Sequence, residues 1–92
     1  MLISEWNHRV DEIFMECSRN KECKFMIITN HLNYVVDKLI ELINQNTEIL
    51  KSNKMYKHSF YVEFLNGSSI TVCLPDKDIN IRGNRSKIYE II

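Results

Sequence analysis

Two glycines and one proline among 92 residues are too few for a collagen, a flexible linker or a low-complexity tract. No apolar run approaches the ~18 residues that span a bilayer. The opening MLISEW lacks the basic and apolar regions of a secretory leader, so the expectation is no membrane and a cytoplasmic address. Cys17, Cys23 and Cys73 are odd in number and form no CxxC, which predicts free, mostly buried thiols rather than a disulfide framework. His8, His31 and His58 stand far apart, with no HxH, HExxH or Cys-His cluster around them, so neither a metal nor another cofactor is expected. Asp76 and Asp78 in PDKD lack the Gly and terminal Glu of a calcium loop and are read as solubilising charges.

Net charge is also missing: twelve Lys and Arg balance twelve Asp and Glu. The balance hides a polarity. Residues 1–50 hold eight acids against five bases, and residues 51–92 hold four acids against seven bases. A basic edge facing a polyanion or an acidic protein fits that asymmetry, although a pI of 6.8 is poor for a general nucleic-acid binder.

What is present is a globular composition, 45% apolar and 26% charged, in a length that makes one domain with one small core. Ile3, Trp6, Val10, Ile13, Phe14 and Cys17 share a helical stripe, so residues 4–18 read as an amphipathic helix with Ser4 as N-cap and Trp6 in the core. KFMIIT, residues 24–29, has the length and β-branching of a strand buried on both faces. Leu32, Val35, Val36, Leu39, Ile40 and Ile43 predict a second helix, capped by Thr29 or Asn30 and ended by NQN near residue 46. TEIL suits a short strand, and KSNKMYKHS reads as a basic loop.

Phe60, Val62 and Phe64 alternate, as do Ile70, Val72 and Leu74, with Asn66-Gly67 between them. That pattern predicts a β-hairpin on a type I′ turn, with positive φ at both central residues. Pro75 stops the second strand, and after the loop DINIRGNRS the stretch KIYEII reads as a last strand. The resulting fold is α/β (α+β): two helices on a mixed sheet of four or five strands containing one hairpin, with KFMIIT and KIYEII parallel.

The hairpin FLNGSSITV, the loop DINIRGNRS, the strand KIYEII and the pair KFMIITNHLNYVVDKLIELI together resemble the interior of the ATPase domain of viral and tailed-phage large terminases, the DNA-packaging motors. In that family an Asn-Gly-Ser turn, an Arg-Gly loop and an apolar strand lead to a Walker B Asp-Glu pair. Counting from Arg82-Gly83, the Asp would fall at about Ile92 and the Glu beyond it, and no GxxxxGK[ST] loop occurs in this sequence. The resemblance therefore implies the structural middle of a motor fold without its phosphate loop and acids, and no ATP hydrolysis by this chain.

Three functional readings follow. The first is a non-enzymatic protein of viral or phage type that binds another protein, as an inhibitor or regulator of a nucleic-acid-processing or host-defence complex. A homodimer through an open sheet edge belongs with it. The second is a terminase-like fragment gripping DNA or a motor subunit through a basic loop. The third is a small Cys or His enzyme, for which no arrangement of residues speaks. The residues expected to touch a protein or nucleic-acid partner are Lys51, Lys54 and Lys57 in one loop, Arg82, Arg85 and Lys87 in the other, and Tyr89 beside them.

Overall fold

The computed structural model describes residues 3–75 and 88–91; Ile3, Ser4, Trp6 and residues 88–91 are described in their backbone only. The chain runs α1 (Ile3–Arg19), β1 (Lys24–Ile28), α2 (Leu32–Gln45), a 3-10 turn (Thr47–Ile49), β2 (Leu50–Met55), β3 (Ser59–Phe64), β4 (Ser69–Cys73) and β5 (Ile88–Ile91). The strands form one sheet in the order β2-β3-β4-β1-β5. β1 is parallel to β4 and to β5, while β2-β3 and β3-β4 are antiparallel, so the sheet is mixed as expected.

The alternation of the strands decides where the core lies. Phe60, Val62 and Phe64 of β3, Ile70 and Val72 of β4, and Phe25 and Ile27 of β1 turn to one face. There they meet Val10, Ile13, Phe14 and Cys17 of α1 and Leu32, Val35, Val36, Leu39 and Ile43 of α2. Both helices thus cover the same face. Phe14 and Phe64 join helix to sheet with ring centroids 5.1 Å apart. Burying each such side chain is worth about 1.5–3 kcal/mol, so this one cluster holds the fold. The helices are also tied to each other, Lys38 Nζ lying 3.4 Å from Asp11 Oδ1. Met26 and Ile28 alternate to the other side of β1 and are buried too, which explains the unbroken apolar run of a strand flanked by two neighbours.

Four local expectations are corrected. The first helix already includes Ile3, so Ser4 lies within its first turn rather than ahead of it. Neither Thr29 nor Asn30 caps α2. The N-cap position is His31, whose backbone N–H donates to Thr29 Oγ1 at 2.9 Å, while the Thr29 N–H is drawn to Cys73 O at 2.9 Å. TEI is a 3-10 turn rather than a strand, and KSNKM, read as part of a basic loop, belongs to the edge strand β2.

The fourth correction concerns the hairpin. Gly67 has φ +90°, but Asn66 does not take positive φ; among the described residues Glu22 is the sole non-glycine that does. Gly67 N–H donates to Phe64 O at 3.2 Å and Phe64 N–H to Ser68 O at 2.8 Å, closing a loop over Leu65, Asn66 and Gly67. This is a type I turn followed by a glycine bulge, not type I′. The longer loop leaves the Asn66 side chain with work elsewhere.

Candidate functional site

That work is done at the end of α1. Asn66 Nδ2 donates to Cys17 O at 2.9 Å and to Ser18 O and Asn20 O at 3.3 Å each, while Oδ1 accepts the Ser68 N–H at 2.9 Å. A helix leaves its last carbonyls without partners, and Asn66 supplies one from the far side of the fold. Ser68 Oγ donates to Asn20 O and accepts the Cys23 N–H at 3.0 Å, and Ser69 N–H donates to Cys23 O at 3.0 Å. The NGSS stretch, quoted above for its likeness to a motor, is thereby a structural clamp between α1, the start of β1 and the β3-β4 turn. The side chains of Asn66 and Ser68 are committed to this clamp.

The thiols differ in access, Cys23 and Cys73 being half-buried. Cys17 is fully buried, with Sγ 3.8 Å from Cys23 O and 3.9 Å from Ser69 O. Burial first, and the neighbouring Cys23 second, push its thiol far above the ordinary range; burial also raises Cys73. A nucleophilic cysteine needs the opposite shift. The cysteines are free, and among the described residues no group of His, Cys, Asp and Glu could hold a metal.

The exposed chemistry gathers at the other side of the sheet. β2 is half-buried at Leu50 and exposed from Lys51 through Met55. Its neighbour on one side is β3, and no described strand lies on the other. Tyr56 N–H donates to Ser59 O at 2.8 Å, which fixes the phase of the ladder: Lys54 opposite Tyr61 and Ser52 opposite Glu63 exchange bonds with β3. Asn53 and Met55, the alternate residues, therefore turn their N–H and C=O outward. The register slips between Leu50 and Ser52, a bulge that brings Lys51 Nζ to 3.3 Å from Glu63 Oε2.

Lys51, Lys54 and Lys57 thus follow one another along an edge strand and its turn rather than on a free loop. Lys54 lies 5.2 Å above the Tyr56 ring, and Met55 and Tyr56 are about half exposed; Leu65, also exposed, lies at the opposite end of the strand, its N–H donating to Ile49 O. Met55 escaped the sequence reading; the available signal was the run from Leu50 to His58, which contains three lysines and no acid. Arg82, Arg85 and Lys87 lie outside the described residues. Tyr89 pairs with Met26 through the backbone of β5, but its side chain lies outside them as well.

One cleft, of about 380 Å³, opens where β1 and β4 end. Asn30, His31, Asn33, Tyr34, Lys57 and Leu74 line it beside the start of α2. His31 and Tyr34 stand with ring centroids 6.4 Å apart at its rim. It is a shallow surface feature, and it connects with the basic edge only through Lys57.

Compared with known proteins, the chain matches no family, no curated relative and no solved structure. These comparisons therefore leave the likeness to the terminases as the sequence left it. No helix among the described residues is long and apolar enough to cross a membrane.

Proposed function

We propose that this chain is a non-catalytic binding protein that engages a protein partner through the β2 edge. The observation that carries the reading is the edge itself: a strand exposed from Lys51 to Met55, presenting outward backbone groups at Asn53 and Met55 and half-exposed apolar side chains beside them. Such an edge is a template for another strand, and pairing with it gives affinity through the main chain. The absence of a GxxxxGK[ST] stretch from the sequence and the inert setting of Cys17 support a role without catalysis. The terminase resemblance adds the narrower reading that the partner belongs to a nucleic-acid-processing complex, on which this protein acts as inhibitor or regulator by occupancy.

Two measurements test this. Purified protein should show no nucleotide turnover above the blank with magnesium and ATP. Immobilised protein should retain a partner from extracts of its own host cell, and Asn53→Pro, which removes an outward backbone amide and the exposed Asn53 side chain but no bond of the β2-β3 ladder, should lose it. Turnover, or equal retention by Asn53→Pro, defeats the reading.

Lys54 stacked over Tyr56, with Lys57 adjoining, favours a second reading in which the β2-β3 turn grips nucleic acid. It requires binding to labelled duplex that weakens steeply with salt, as counterion release demands.

A further inference from the structure

Resting on the protein-binding reading, we infer that the occupant of the β2 edge is an extended acidic segment of the partner, its acids alternating with apolar residues, which adds a strand to the sheet. The charge of the edge carries this. From Leu50 to His58 the chain holds Lys51, Lys54 and Lys57 and no acid. Glu63 answers Lys51, but among the described residues no carboxylate pairs with Lys54 or Lys57.

Faces matter as much as charge. Lys54 is in register with Tyr61, on the face away from the helices, whereas Met55 is in register with Phe60, on the helix side. An added strand bonded to the outward groups of Asn53 and Met55 alternates its own side chains between those two faces. Acids on one side would then meet Lys54, with Lys57 adding positive charge at the adjoining turn; apolar residues on the other would cover Met55.

The same arithmetic disfavours a second copy at this edge. A twofold pairing of β2 with itself sets each residue i against j and j against i, so any register centred on Asn53, Lys54 or Met55 brings the two Lys54 side chains to opposite or neighbouring positions. Like charges placed so are destabilising, and lysine on an edge strand is a known guard against self-pairing. A guard against self is an attraction for an acidic strand.

The test uses synthetic peptides of about eight residues, a typical strand length, in three series: alternating Glu-Val, Thr-Val and Lys-Val. Amide shifts of the full chain are followed by NMR. The expected result is binding of the Glu-Val peptide with shifts centred on residues 51–57, roughly tenfold tighter than the Lys-Val peptide at low salt, the gap narrowing as salt is added. Lys54→Glu combined with Lys57→Glu should reverse the order of the two peptides. N-methylation of the peptide backbone on the side facing β2 should abolish binding.

Equal binding of the three peptides, shifts confined to the cleft beside α2, or binding of a duplex oligonucleotide at residues 51–57 with no peptide binding would each overturn the inference. So would a dimer in sedimentation that Asn53→Pro disperses. If no acidic peptide binds while Asn53→Pro still abolishes capture of the host partner, the acidic segment is refuted and the protein-binding reading stands. If the acidic peptide binds but Asn53→Pro retains the partner, the edge has its chemistry and the functional reading falls.

Discussion

The side-chain amide of Asn66 donates to the main-chain carbonyl of Cys17 at 2.9 Å, across 49 positions of sequence. The bond joins the turn of a hairpin to the last turn of a helix. Asn66→Asp removes the donor while keeping the size, and it sets a carboxylate against the carbonyls of Cys17, Ser18 and Asn20. The expected loss is about 2 kcal/mol of unfolding free energy, read as a lower urea midpoint at unchanged slope. Asn66→Ser, too short to reach α1, should also lose stability, whereas a neutral result in both would show that the clamp holds nothing.

Gly67 is fixed by conformation more than by space. Its φ of +90° is costly for any L side chain, and an added Cβ would stand 3.3 Å from Glu22 Cγ, a flexible group that can give way. Gly67→Ala should therefore cost about 1–2 kcal/mol, and trimming the neighbour with Glu22→Ala should recover little of it. A full recovery in the double variant would place the cost in the contact instead.

How much of this was legible in the sequence depended on whether an element has an inside. α1, α2 and the β3-β4 pair each bury one stripe or face, and Val10, Ile13 and Phe14 or Phe60, Val62 and Phe64 print that burial as a period, while β1 buries both faces and prints it as an unbroken apolar run. β2 is exposed at every residue but Leu50 and has no apolar period to print, so Lys51 and Lys54 looked like loop residues. The Asn66-Gly67 pair announced a hairpin but not its loop length, because the deciding partners, the carbonyls of Cys17 and Ser18, come from a distant helix. The cap of α2 was misplaced for a similar reason: the Thr29 amide is claimed by Cys73 across the sheet.

Phe14 and Phe64, tilted at 58° with centroids 5.1 Å apart, are one direct link between α1 and the sheet. Leucine at either position preserves apolar volume and should cost about 1–2 kcal/mol. The pair should be non-additive by about 0.5–1.5 kcal/mol in a double-mutant cycle, since each single change already forfeits the ring contact. Simple additivity would mean the rings merely share a core.

Cys17 makes stability depend on alkaline pH. Its thiol, with an ordinary value of 9.0, is raised in the folded chain by burial and by Cys23, so the folded state keeps a proton that the unfolded state releases. Stability is therefore complete below pH 9 and falls above it, with a limiting slope of about 1.4 kcal/mol per pH unit for one such group. Cys17→Ala, although weaker near neutrality through its lost volume, should decline less steeply from pH 9 upward in urea titrations. Alkylation of Cys17 by iodoacetamide should likewise wait on unfolding, whereas a rapid reaction in the native protein would contradict its burial.

Proline placed at successive residues of β2 tests which way the edge faces. Lys54 is opposite Tyr61 in the bonded phase, so Lys54→Pro deletes a donor that β3 uses and should cost about 3 kcal/mol. Asn53 is in the alternate phase, its amide outward, and Ser52 before it already has the extended backbone that a following proline requires. Asn53→Pro should accordingly cost under about 1 kcal/mol. Circular dichroism melts of the two variants give the comparison directly: a large drop for Lys54→Pro beside a small one for Asn53→Pro leaves the outward groups open to a partner. The reverse order would turn those groups inward and close the edge.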